Sequence, residues 1–319
     1  MIAVSKESGE PLFGSAANSH RNDSHLAINW KLLVGDQKTK VQAKIASDQE
    51  LAAALLPFGS SVQGLLNAFV RHVLSSIKRE EFSELPQILV GVPVTEGFDD
   101  PKWRQRYKDH ISEAFRSAEF PEPKFFNEAF ATFQYYYNRG VFQKTSDKPL
   151  NVLIVDIGGG TTNLCLVQTT KHGLLAHGGP NKVPHGVTSA PIGGANLDSY
   201  LLDTLVEDNL VSWSNLALFE IGAAKERLCT ELRRLDLAAL AGPLALREEL
   251  HLPDVRDVFL SFELLRTTFQ ERFWPVVRGA LEDCLNTVQQ KNLPLPVDSI
   301  DYIILGGGTS QLPLVEYAF

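Results

Sequence analysis

The chain has 319 residues, 44% of them hydrophobic and 21% charged, with 23 glycines and 17 prolines; that composition excludes the disordered, collagen-like and coiled-coil classes. Thirty Lys and Arg against 38 Asp and Glu leave a net charge of −8, which repels phosphate backbones and anionic lipid, so neither nucleic acid nor a membrane is an expected partner. No run approaches the roughly 18 apolar residues of a membrane span, and Cys165, Cys229 and Cys284 stand in no metal or redox spacing, which points to reduced thiols and a cytoplasmic protein.

Residues 2–13 predict a short strand and turn, followed by a polar stretch, Ser15 to Ser24, without periodicity. Val62, Leu65, Leu66, Phe69, Val73 and Ile77 recur at helical spacing within residues 60–79. Ser60 or Ser61 can cap that helix, and Lys78 with Arg79 suits its C-terminal end. Ile88 to Val92 reads as a buried strand turning at Pro93, with helices expected over 101–117 and 127–138. The polar segment Lys144 to Pro149 suits a connection between two lobes, residues 1–148 and 149–319. Beyond it, Asn151 to Val155 and Leu164 to Gln168 predict a hairpin with glycines at its turn. A glycine-rich segment, 186–194, precedes a helix over 196–207; residues 215–290 are mostly helical in pattern. Tyr302 to Leu305 is a further buried strand, running into Gly306-Gly307-Gly308. Strands and helices mixed in both halves define an α/β chain.

The sharpest chemical signal is Asp156-Ile157-Gly158-Gly159-Gly160-Thr161-Thr162-Asn163 between two strands. Glycines let a backbone approach a polyphosphate closely, and successive N–H groups at such a turn form an anion-binding concavity. Thr161 and Thr162 add hydroxyls, and Asp156 at the strand end can hold Mg²⁺ through its water shell. Gly306 to Ser310 and Gly193-Gly194 are two further glycine turns at element ends, where ligands of α/β folds gather. Neither has the P-loop or Rossmann spacing.

Taken in order, these segments resemble the nucleotide-binding domain of the DnaK-type 70-kDa heat-shock chaperones, within the actin-like ATPase superfamily. DIGGGTTN is similar to the family's second phosphate motif, and Ile300 to Leu305 with GGGTSQLP to its adenosine motif. GVTSAPIGGANLD, VGVPVTEGF with Arg104 and Lys108-Asp109, Asn127-Glu128-Ala129, and Lys31-Leu32-Leu33-Val34-Gly35 supply four more ordered matches. The resemblance implies a two-lobed, ribonuclease H-like fold binding ATP or ADP with Mg²⁺, and a co-chaperone or exchange factor as partner. It implies that Lys31 positions the γ-phosphate and attacking water, and that Glu128 and Asp156 hold the Mg²⁺ waters or orient the nucleophile. Gly158, Gly159, Gly160, Thr161 and Thr162 would meet phosphate; Gly193, Gly194, Gly307, Gly308 and Thr309 would line the nucleotide pocket; Lys225 would reach the nucleoside. An ordinary surface charge is the competing reading of Lys31, Glu128, Lys225 and Arg104.

The departures are specific. Asn163 stands where the family has Asp, which removes a charge beside the cation site. Gln311 stands where an Arg covers the adenine face, and Ala195 where an acid follows the Gly-Gly pair. The family's first phosphate hairpin has no counterpart, so lobe I is expected to be incomplete, with Ile88 to Val92 short of a neighbouring strand. The matches stop just after the adenosine motif, so a peptide client is not assigned to this chain alone. Two accounts follow: a heat-shock-like ATPase domain that hydrolyses ATP once the missing segments are supplied, or a degenerate nucleotide-binding scaffold. A sugar kinase or a filament-forming actin relative fits the motifs less well.

Overall fold

The computed structural model describes residues 2–77, 86–93, 100, 102–142, 149–170, 173–174, 186–253, 255–290 and 300–319. Residues 144–148 of the expected connection, 94–98 of the strand-Pro-turn match, and Lys78 and Arg79 lie outside them. The chain divides into two compact units: Met1–Val92, Lys102–Phe125 and Trp213–Phe219 form the first, and Pro93–Pro101, Phe126–Ser212 and Glu220–Phe319 the second.

The first unit opens with a three-stranded antiparallel sheet in the order β2-β1-β3, built from β1 (Ile2–Ser5), β2 (Pro11–Phe13) and β3 (Ser24–Ala27). A short helix, α1 (Gly14–Ser19), occupies part of the polar stretch. Ala17 of that helix is buried with Ala3 and Leu26, so small side chains rather than an apolar stripe fix it. Two helices follow, α2 (Lys38–Ser47) and α3 (Gln49–Leu55), the latter capped by Asp48, which accepts from the Leu51 amide at 3.0 Å.

Helix α4 (Val62–Ser75) is capped by Ser61, whose hydroxyl accepts from the Gly64 amide at 3.0 Å. Its buried face is Val62, Leu65, Leu66, Val70 and Leu74. Phe69 and Val73, expected in that face, are 37% and 47% exposed. The core follows the i, i+4 row from Val62 through Leu66 and Val70 to Leu74, and Phe69 lies beside it, edge-on to Trp30 at 5.6 Å.

Strand β4 (Leu89–Val92) and helix α5 (Trp103–Ser117) come next, then β5 (Lys124–Asn127), which the sequence pattern did not reveal. Among the described residues β4 and β5 form a two-stranded sheet. Leu89 is 65% exposed and only Val92 of β4 is fully buried. The expectation of a buried strand is thus corrected: a ribbon of two strands leaves one face open. Helix α5 is fastened from its side chains: Trp103 Nε1 donates to the Leu32 carbonyl (3.3 Å) and Arg106 Nε to that of Gly35 (2.9 Å).

The second unit starts with α6 (Glu128–Asn138), capped by Asn127, whose Oδ1 accepts from the Phe130 amide at 2.9 Å. The strands β6 (Leu150–Ile157), β7 (Thr162–Thr170), β8 (Gly173–Leu174) and β9 (Gly186–Ala190) lead to α7 (Gly194–Glu207) and α8 (Asn215–Leu232), whose residues 215–219 count with the first unit. A small hairpin, β10 (Arg247–Glu249) with β11 (Phe259–Ser261), precedes α9 (Phe262–Thr268) and α10 (Trp274–Gln290). β12 (Tyr302–Gly306) and α11 (Pro313–Ala318) complete it.

The sheet order is β12-β6-β7-β8, with β9 also paired to β7. β6 and β7 are antiparallel from Leu150↔Thr169 to Ile157↔Thr162, and β12 runs parallel to β6 from Tyr302↔Val152 to Gly306↔Asp156. Val152 to Val155 are at most 1% exposed, as a β-branched run covered on both faces requires. One face packs Ala129 and Phe133 of α6 on Val152, Ile154, Cys165 and Val167; α10 lies along β7 and β9. Among the described residues no single helix is long and apolar enough to cross a membrane.

Candidate functional site

The register of β6 and β7 leaves Gly158 to Thr161 as the hairpin turn. The Gly158 amide closes it by donating to the Thr161 carbonyl at 2.9 Å. Because β12 is parallel to β6 and in register at Gly306↔Asp156, its glycine turn leaves the sheet beside the same hairpin, at the strand ends where α/β folds gather ligands.

The three glycine segments are bonded together. At the start of α7 the Gly194 amide donates to the Gly158 carbonyl (3.0 Å) and the Ala195 amide to the Gly159 carbonyl (2.7 Å). Thr309 Oγ1 donates to the same Gly158 carbonyl at 3.0 Å. Asn196 Oδ1 reaches back to accept from the Gly193 amide at 2.9 Å, half of a capping box. Ser310 Oγ accepts from the Ile157 amide (3.2 Å) and faces the Val155 carbonyl (3.3 Å), tying the β12 turn to β6.

Close approach demands glycine at several of these positions, Gly193 and Gly307 among them. A Cβ at Gly193 would stand 2.6 Å from the Gly158 carbonyl oxygen, and Gly307, at φ +81°, would put one 2.6 Å from Asp156 Oδ1. A Cβ at Gly159 or Gly308, by contrast, would meet nothing within 4 Å. Among the described residues the amides of Gly159 and Gly160 donate to no protein group. Open space beside Gly159 and two amides that donate to no protein group suit an anion such as phosphate.

Asp156 faces Asn163 across the hairpin. Asn163 is 1% exposed, and its Nδ2 donates to Glu128 Oε2 at 3.0 Å and to Thr161 Oγ1 at 3.3 Å. Asp156, Glu128, Thr161 and Asn163, three of them expected site residues, therefore form one cluster. Thr162 is fully buried and its hydroxyl donates to the Ile192 carbonyl at 2.8 Å; that donor braces the hairpin against the approach to α7. Among the described residues no group of three or more His, Cys, Asp or Glu stands where it could hold a metal ion directly.

Lys225, on α8, lies 2.6 Å from Asp198 Oδ1 and donates to the Gly194 carbonyl at 3.3 Å. Burial raises the Asp198 carboxyl above its ordinary 3.8, and the Lys225 ammonium opposes the shift. Lys225 thus braces the glycine junction from behind. Gln311 is met by Arg233: Nη2 donates to its Oε1 (2.8 Å), and Nε (3.1 Å) and Nη2 (3.0 Å) to its carbonyl. Asp198, Arg233 and Ser310 were not singled out in the sequence; only Ser310, next to Thr309, carried a signal. Lys31 is exposed on the 3₁₀ turn Trp30–Val34 of the first unit, and so belongs to a different unit from the other expected site residues.

A glycine-turn cradle at the strand ends of a mixed sheet stands where α/β proteins gather ligands, and comparisons with known proteins give the family. A family model described as Hsp70 protein matches residues 105–318. The chain is 25% identical over 330 residues to the heat shock cognate HSP70 protein of Trypanosoma brucei brucei, covering 96% of this chain and 45% of that protein. It is 28% identical over 184 residues to the chaperone protein dnaK1 of Prochlorococcus marinus, covering 55% of this chain and 25% of that one. This chain belongs to the Hsp70 family. It spans less than half the length of these relatives. The mixed α/β architecture agrees with the actin-like ATPase fold of the family.

Proposed function

We propose that the chain binds Mg²⁺-ATP or ADP as a heat-shock-type nucleotide-binding domain, with the β6–β7 turn as its phosphate cradle. The observation that carries this reading is the Gly158 carbonyl, which receives both the Gly194 amide and the Thr309 hydroxyl. Three turns are thereby fixed before any ligand arrives, so binding need not bear the entropy of ordering them. The amides of Gly159 and Gly160, with the Thr161 hydroxyl, hold the phosphates; Gly307, Gly308 and Thr309 form the nucleoside side. Asp156 and Glu128 hold the water shell of a magnesium ion, which when bound neutralises the terminal phosphate oxygens. The role that the resemblance gives Lys31 is a separate proposal, under which Lys31→Ala lowers turnover more than affinity. A co-chaperone or exchange factor is the partner in keeping with the family.

Titration calorimetry of the full chain with Mg²⁺-ATP tests the reading: the protein binds, and Asp156→Ala abolishes binding. Unchanged affinity in the variant would sink the assignment. A second reading, a scaffold that binds nucleotide without turnover, is favoured by Asn163 and by the Thr162 hydroxyl being committed to Ile192. Single-turnover assays separate the two, since the scaffold binds ATP and releases no phosphate.

A further inference from the structure

We propose that Arg233 is the positioning residue for the nucleoside side of the site, acting through the Gln311 carbonyl on the turn that holds Gly307, Gly308 and Thr309. The inference rests on the nucleotide reading above and deepens it, since it separates recognition of the nucleoside from recognition of the phosphates. The turn after β12 is fastened at both ends. Its entrance is tied to β6 and its hairpin by Thr309 Oγ1 on the Gly158 carbonyl and by Ser310 Oγ on the Ile157 amide. Its exit is Gln311, the last residue of the 3₁₀ turn Thr309–Gln311, whose amide donates to the Gly308 carbonyl at 3.2 Å. The last carbonyls of a helical turn need partners from outside it. That of Gln311 is met by Arg233, through Nε at 3.1 Å and Nη2 at 3.0 Å.

A guanidinium is a rigid planar fork, so two of its donors on one carbonyl fix the direction of that carbonyl. Nη2 also donates to Gln311 Oε1 at 2.8 Å, and three bonds thereby hold an exposed side chain on a single residue. Arg233 extends α8 by one residue, its amide donating to the Cys229 carbonyl at 3.1 Å. Lys225, Cys229 and Arg233, four residues apart, therefore lie along one face of the helix. On that face Lys225 holds the Gly194 carbonyl, the Cys229 thiol donates to the Gln311 carbonyl at 3.9 Å, and Arg233 takes the same carbonyl. Two cations on one helix face thus serve two turns, Lys225 the start of α7 and Arg233 the turn after β12. A bare polyphosphate needs the β6–β7 hairpin and the start of α7; a nucleotide also needs the turn that Arg233 fixes.

The test is titration calorimetry of the full chain with Mg²⁺-ATP and, separately, with Mg²⁺-tripolyphosphate, paired with amide hydrogen exchange of the free protein. Arg233→Ala weakens ATP binding about tenfold and tripolyphosphate binding by less than about twofold. Arg233→Lys, which keeps the charge and loses the fork, falls between the wild type and Arg233→Ala. Gln311→Ala, which keeps both bonds to the carbonyl, weakens ATP binding by less than about threefold. In the free protein the Gln311 amide exchanges faster in Arg233→Ala than in the wild type, while the Gly194 and Ala195 amides keep their rates. Three results overturn the proposal: an Arg233→Ala variant that binds ATP as the wild type does, one that loses ATP and tripolyphosphate in equal measure, or one whose Gln311 amide exchanges at the wild-type rate. The last would mean that Arg233 does not position the turn, whatever it does to affinity. A wild type that binds neither ligand sinks the nucleotide reading instead, and the Gln311 exchange rates still decide whether Arg233 fixes the turn.

Discussion

The sheet of the second unit is built on β6 and β7, of eight and nine residues, whereas β1 to β5 have no more than four residues each. In the second unit the core is a β-branched run buried on both faces, with stacked aromatic side chains over it: Phe133 of α6 lies 5.8 Å from Phe130 of the same helix and 5.5 Å from Phe142 beyond it, ring to ring. In the first unit short strands are tied down by caps, small residues and single side-chain bonds such as Asn215 Nδ2 to the Leu26 carbonyl. The difference teaches where a fold stores its stability. In the second unit the crowded glycines Gly193 and Gly307 stand at the end of a long apolar strand; in the first, Gly35 against Trp103 and Gly64 against the Phe58 carbonyl stand in or at the end of helical segments instead.

The largest effects test that contrast in the cores. Phe133→Ala in the second unit costs about 4 kcal/mol and Leu65→Ala in the first about 3 kcal/mol, both by urea unfolding; both residues are fully buried. A Leu65 variant costing more than the Phe133 one would break the comparison. At the junction, Gly307→Ala is expected to cost about 3 kcal/mol, since it combines a positive φ with a collision against Ile157 and Asp156. Gly308→Ala, open on that side, changes stability by under about 0.5 kcal/mol. Equal costs would mean that the turns are not packed against each other.

Smaller effects sharpen the picture of the first unit. Ser61→Ala removes the α4 cap and costs about 1 kcal/mol, again by urea unfolding. His110 on α5 is shifted below its ordinary 6.5, chiefly by burial and further by Arg106, with Asp109 opposing. The folded state then binds fewer protons than the unfolded chain, so stability is complete above about pH 6.5 and drains as the pH falls through that value. His110→Gln removes that part of the acid-side slope. A slope unchanged between pH 7 and pH 5 would mean that His110 is not what titrates.

Much of the second unit was legible, because its signals are local. The hairpin of Asp156 to Asn163, the strand before Gly306 and the helix after Gly193-Gly194 each follow from a run of residues and a glycine. The α4 cap, narrowed to Ser60 or Ser61, was legible for the same reason, whereas Asn127 was read as part of the helix it caps. Strand β5 was not, since Lys124 to Asn127 carries no alternation strong enough to outweigh the neighbouring helices. The buried face of α4 was misjudged because Phe69 and Val73 fit a helical stripe as well as Val70 and Leu74 do; only the packing decides between rows one residue apart. In the site, proximity in sequence exposed the glycines but hid their braces. Asp198 and Arg233 act on residues 27 and 78 positions away, and no local pattern marks such pairs. Lys225 was read as a nucleoside contact or else a helix-face charge, yet its partners, Asp198 and the Gly194 carbonyl, give it a bracing role that its position in a helix does not disclose.

The most direct test of the preassembled cradle is amide hydrogen exchange of the full chain, with and without Mg²⁺-ATP. The account predicts added protection confined to three segments: Gly158 to Asn163, Gly193 to Asn196, and Gly306 to Ser310. It also predicts that the Gly194 and Ala195 amides, already bonded to the β6–β7 turn, exchange slowly before nucleotide is added. Fast exchange at those two amides in the free protein, or protection by nucleotide that misses the three segments, would contradict it.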